Sequence, residues 1–131
     1  MLKTKSILDP KKELDGYRIS VMSRHTLDDG ITPHPNITDS SYDVWFKILA
    51  PPDKLIGDYY KRGLPWEQFE QRYLEYLQES KVRIEVENLA QLSIDSVVTI
   101  LCIEDTPEHC HRRLLAEECK KYRPGLKVSV R

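Results

Sequence analysis

The sequence predicts an α/β fold, a three-layer, Rossmann-like domain with a small, mainly parallel sheet flanked by helices. Three observations carry that expectation. Val97 to Ile103 (VVTILCI) is nearly continuous apolar sequence, as a central strand buried on both faces requires. Thr106-Pro107-Glu108 after it is a helix-start signature, with a capping hydroxyl, a proline at the first position and an acid in the first turn. Leu126 to Val130 (LKVSV) then alternates like a strand. Strand, helix and strand with short connections form a βαβ unit, so the two strands run parallel through a right-handed crossover.

The other elements follow in chain order. Leu2 to Ile7 (LKTKSI) alternates apolar and polar and reads as an edge strand. Asp9-Pro10 and Asp15-Gly16 are turn signals around KKEL. Tyr17 to Ser23 (YRISVMS) is β-rich, with Tyr17, Ile19, Val21 and Ser23 on one face. Arg24 to Ser41 has no period and many breakers, which makes it a candidate binding loop. Tyr42 to Leu49 reads as a short helix or turn stopped by Pro51-Pro52, and Asp53 to Arg62 as a helix ended by Gly63. Pro65 takes the first position of a stronger helix whose Trp66, Phe69, Tyr73, Leu74 and Leu77 recur at three and four. Lys81 to Leu92 alternates like a strand in VRIEV but repeats like a helix at Val82, Val86, Leu89 and Ala90. Helix is preferred, because it can cover the sheet before the next strand. The last helix runs from Pro107 to Tyr122, with Pro124-Gly125 as its stop.

Composition narrows the function classes. With 131 residues, 40% of them hydrophobic and 31% charged, the chain is expected to form one domain, residues 1–131. It is too apolar for a disordered chain, has no membrane-length apolar run, and shows no secretory signal behind its N-terminal lysines. Twenty basic and 21 acidic residues leave a charge of −1, which argues against broad binding to nucleic acid or to acidic membranes. Three cysteines argue against a disulfide scaffold, and a reducing cytoplasm is the expected compartment.

The chemistry concentrates between Cys102 and Arg113, where two thiols, two imidazoles, two guanidiniums and several carboxylates follow the predicted central strand. Ligands of open α/β sheets gather at such strand ends. On a helix at about 100° per residue, His111 points to the inward face with Leu114, Leu115 and Tyr122, while Arg112 and Arg113 point outward or sideways. Glu118 also falls near the inward stripe and calls for a polar partner. Cys110, in the first helical turn beside Arg112, is a candidate thiolate; the alternative is a small buried hydrophobe, the role expected of Cys119. Glu104 is a candidate acid or base. His111 could accept a proton from Cys110 or a substrate, with Glu104 or a backbone carbonyl fixing its tautomer. Arg18, Arg24 and Arg112 are candidate anion-binding residues, and Trp45 a candidate pocket wall. Cys102, Cys110 and His111 are zinc-type ligands without the paired spacing of structural zinc sites, so no metal is assigned. No Walker loop, G-x-G-x-x-G run or G-x-S-x-G elbow is present.

Three blocks resemble the DUF488 family of small, mostly prokaryotic proteins of uncharacterised function. They are Asp15-Gly16-Tyr17-Arg18-Ile19; Asp43 to Pro51 with Trp66-Glu67-Gln68-Phe69 and Arg72-Tyr73; and Cys102-Ile103-Glu104 with Pro107 and Cys110 to Glu117. One departure is visible. The family often has an Asp-Arg-Leu-Trp-Pro-Arg-Gly-like run after the early strand, of which Ser23 to Gly30 keeps only the first arginine, Arg24. The resemblance implies an α/β fold with a pocket at the C-x-E to C-H-R segment, and supplies no reaction. The expected function is binding or transformation of a small anionic, nucleotide-like ligand there. Glu104, Cys110 and His111 would carry the chemistry, with Arg18, Arg24, Trp45, Cys102 and Arg112 binding. The alternatives are an interaction module with a structural cluster, and a zinc-binding site.

Overall fold

A computed structural model describes residues 1–131. Five strands, β1 (Leu2–Ser6), β2 (Tyr17–Ser20), β3 (Val44–Trp45), β4 (Val98–Cys102) and β5 (Val128–Ser129), form one sheet in the order β3-β2-β4-β1-β5. Every pairing is parallel. Four helices join them: α1 (Asp53–Tyr60), α2 (Trp66–Leu77), α3 (Ser80–Asp95) and α4 (His111–Tyr122). None is long and apolar enough to cross a membrane.

β4 is the middle strand and all five of its residues are buried, as its apolar run predicts. β5 lies one strand away, across β1. Lys81 to Leu92 is helical within α3, because the residues at helical spacing, Val82, Val86, Leu89 and Ala90, all enter the core. Tyr42 to Leu49, expected as a short helix or turn, is so only in part. Val44 and Trp45 add the edge strand β3, and only Lys47–Leu49 turns as a 3-10 helix. Pro65 precedes α2 as its cap, one residue outside the helix.

The expectation of an edge position for β1 is corrected: β1 pairs with β4 on one side and β5 on the other. Its alternating lysines suggested a wet face, yet Lys5 is buried. The reason lies in how the two faces are covered. On one face, Leu2, Ile19, Val98 and Ile100 join residues of all four helices in a single apolar cluster. On the other face, Lys3, Thr99 and Arg18 stand in register, followed by Lys5, Leu101 and Ser20. A 3-10 turn at Glu13–Asp15 lies against this second face and completes the third layer. Asp15 takes Lys5 Nζ at 3.0 Å and Arg18 Nη1 at 2.6 Å, and its carbonyl accepts from Thr99 Oγ1 at 2.6 Å. Gly16 makes the close approach possible, with a φ of 64° and no side chain to strike the Val97 carbonyl.

Burial raises the Asp15 carboxyl, but the Lys12 N–H and the Lys5 and Arg18 charges outweigh it and hold the group below its ordinary value. The stabilisation is therefore complete above about pH 4 and is lost as pH falls through the folded-state value. Asp15→Asn strands two buried cations and is expected to cost about 3–5 kcal/mol in urea unfolding at neutral pH. The gap between wild type and variant should narrow as the solution is acidified below about pH 4.

Candidate functional site

After Cys102 the chain turns through residues 103–110, and α4 begins at His111, later than the helix-start signature predicts. Cys110 is the extended cap residue, at φ −136° and ψ 138°, and its N–H bonds the Pro107 carbonyl at 3.3 Å. It therefore precedes the first turn of α4.

Arg112 sets this geometry. Predicted to point outward or sideways, its side chain is instead fully buried, with a relative exposure of 0%. Nη1 donates to the Glu104 carbonyl at 2.8 Å and to Cys110 Sγ at 3.4 Å. Nε and Nη2 donate to the Arg131 carbonyl at 3.1 and 2.9 Å. The fork ties the Glu104 carbonyl to the Arg131 main-chain oxygen, and no Asp or Glu side chain pairs with it. Helix periodicity alone misses this, because the acceptors come from distant strand ends.

His111 is buried, as the inward face predicts. Its Nε2 lies 2.7 Å from the Val21 carbonyl, which only accepts, so Nε2 carries the hydrogen. The Nδ1 lone pair then faces Cys102 Sγ at 3.6 Å. A backbone carbonyl, one of the two options read from the sequence, thus fixes the tautomer, while the thiol beside Nδ1 is Cys102. Tyr73 stands edge-on to the ring at 5.6 Å.

The expectation of an acidic thiol at Cys110 is corrected. Cys110 is 2% exposed, and burial, then the neighbouring Cys102, push its thiol well above the ordinary range. Cys102 is the more acidic of the two. Donation from the Cys110 thiol lowers it first, burial opposes, and the Glu104 N–H and the Arg112 charge assist. Cys119 packs in the core as expected, with its thiol pushed up to about 12 by burial and by Glu118. Glu118 has the polar partners its position demands, Gln78 Nε2 at 2.9 Å and Lys121 at 3.3 Å.

Glu104 meets a residue that the sequence reading missed. Tyr60, the last residue of α1, donates its hydroxyl to Glu104 Oε1 at 2.5 Å. Desolvation, then Glu104 and the two cysteines, hold the Tyr60 phenol above its usual value. No local pattern marks Tyr60, since it lies 44 positions from Glu104 and outside the apolar stripe.

The remaining candidates scatter. Arg18 is committed to Asp15 and to the Ser41 carbonyl at 3.0 Å, on the opposite face of the sheet. Arg24 follows the end of β2. Its guanidinium lies against Gly30, without a hydrogen bond or ion pair. Trp45 is held by donation from Nε1 to the Met22 carbonyl at 2.6 Å, and its ring lies on His25 at 4.2 Å. His25 in turn reaches Ser20 Oγ at 2.7 Å. A cleft of about 400 Å³ opens beside this strand end, lined by Ser23, Lys47, Pro52, Asp53 and Tyr76 among others. A second cleft, of about 420 Å³, lies between α2 and α4 among Glu67, Glu70 and Glu75, and its acidic lining does not suit an anion. Cys102, Cys110 and His111 bring their ligand atoms within 4.8 Å of one another.

These features define a class: a parallel α/β domain with a buried cysteine–histidine–arginine cluster at the C-terminal edge of its sheet. The chain belongs to the DUF488 family, for a family model described as the active DUF488-N3 subclade (DUF488-N3a) matches residues 2–123. No curated protein and no solved structure matches it.

Arg112→Lys keeps the charge but loses the fork, leaving the Glu104 or Arg131 carbonyl unpaired. Denaturant unfolding should show a loss of roughly 2 kcal/mol or more.

Proposed function

We propose that the chain binds and transforms a small anionic ligand at the C-terminal edge of its sheet, over β4. The observation that carries this reading is a pair of guanidiniums at neighbouring strand ends, Arg112 at β4 and Arg24 after β2, with no Asp or Glu side chain paired to either. Guanidiniums with no acidic side chain at hand favour an anion at these strand ends. Arg24, without a partner on the neighbouring strand end, supplies the direct contact. Glu104 and Tyr60 offer an acceptor and a donor at the mouth, and Trp45 walls the side toward β2. Arg18 takes no part, because its ion pair with Asp15 occupies it. Cys102, Cys110 and His111 lie beneath as the floor. The subclade's description as active favours chemistry over scaffolding.

A structural role for the cluster is the rival, favoured by the saturation of Arg112 with carbonyl acceptors. A thermal-shift screen with inorganic phosphate, nucleoside monophosphates and small carboxylates separates the two. At 100 times its Kd a ligand adds about 2.7 kcal/mol, which should raise Tm by roughly 10 °C. Arg24→Ala should abolish the response while leaving the unliganded Tm in place. Silence across all three classes overturns the ligand reading in favour of the structural one.

A further inference from the structure

We infer that Cys102, Cys110 and His111 form a binding site for one thiophilic divalent cation, zinc before others, with a fourth coordination position left open. The inference deepens the ligand reading, but it stands on separate geometry. Zinc takes thiolate sulfur at about 2.3 Å and imidazole nitrogen at about 2.0–2.1 Å, so tetrahedral ligands lie roughly 3.6 Å apart for sulfur and nitrogen and roughly 3.8 Å for two sulfurs. Cys102 Sγ and His111 Nδ1 stand 3.6 Å apart, and all three ligand atoms fall within 4.8 Å. The site is thus within a few tenths of an ångström to an ångström of the closed arrangement, without rebuilding the backbone.

The surroundings match what a metal-bound histidine requires. His111 donates Nε2–H to the Val21 carbonyl, which locks the ring and turns the Nδ1 lone pair toward the sulfur. Arg112 Nη1 donates to Cys110 Sγ, a contact suited to a coordinated thiolate. The scaffold is rigid, since Cys102 ends the central strand and Cys110 and His111 open α4. All three residues are at most 7% exposed, as a preformed site needs. Cys119, in contrast, is walled off in the core and takes no part.

Charge explains why the fourth position suits an anion. Two thiolates neutralise a divalent ion and a neutral histidine adds nothing, while the Arg112 guanidinium stands beside the site and donates to one of those sulfurs. Water or hydroxide would take that position until an anionic ligand replaced it. Three protein ligands with one open position are the pattern of catalytic zinc, whereas structural sites are closed by four.

The test is metal content and cobalt spectroscopy on the full chain. Wild-type protein, stripped with chelator and resupplied, should retain one zinc per chain after desalting. Cobalt in its place should give thiolate charge-transfer absorption and the visible bands of a tetrahedral site. Cys102→Ser, Cys110→Ser and His111→Gln should each lose the stoichiometric ion, while Cys119→Ser keeps it. Should a ligand variant fail to fold, titration of folded wild type still decides, because the cobalt–thiolate absorption should saturate at one ion per chain and vanish as zinc displaces it. Folded wild-type protein that takes up only substoichiometric metal and shows no cobalt–thiolate absorption overturns the inference. Anion-dependent stabilisation of such metal-free protein would leave the ligand reading standing. Stoichiometric cobalt with a silent anion screen supports the metal site and removes the ligand reading.

Discussion

A buried guanidinium ties together the end of this domain where its chemistry gathers. Arg112 reaches the carbonyl that follows β4, the carbonyl beyond β5 and the sulfur that caps α4. Taking such a charge out of water costs several kcal/mol. Hydrogen bonds to a charged donor contribute about 1.5–3 kcal/mol each, so three carbonyl contacts offset the cost only when all are made. The turn from 103 to 110 therefore has little freedom. Cys110 and His111 inherit their positions from it, and the Val21 carbonyl fixes the imidazole from the neighbouring strand.

The same logic, with opposite means, governs the far face of the sheet. There Asp15 neutralises Lys5 and Arg18, and a turn of three residues replaces a covering helix. The helix-covered face is apolar and tolerant, and the turn-covered face is ionic and exacting. No buried side-chain nitrogen or oxygen is left without a partner on either. Such complete pairing is what allows so much charge inside a domain of this size.

Local pattern made the helices and the central strand readable, because those elements are placed by their own apolar spacing. Val82, Val86, Leu89 and Ala90 resolved an ambiguous segment correctly for that reason. What local pattern hides is burial that depends on a distant partner. Lys5 reads as exposed until Asp15 is seen above it, and Arg112 reads as outward until the carbonyls of Glu104 and Arg131 converge on it. Cys102, Cys110 and His111 were legible as a cluster, but not which of the two thiols faces the ring. Cys102 meets the ring through the fold, and Tyr60 reaches Glu104 across 44 positions of sequence.

The strand order also sets a timetable for assembly. β1 pairs only with β4 and β5, so its residues have no partner until Val98 and beyond have been made. At synthesis rates of about 5–20 residues per second, that wait lasts roughly 5–20 s. An unpaired, β-prone segment is a hazard over such a time, since any other strand can add to its edge. Lys3 and Lys5 punctuate β1 with two charges through the whole interval. Residues that seem misplaced inside a finished sheet act first as its guards, keeping the waiting strand from joining the wrong chain.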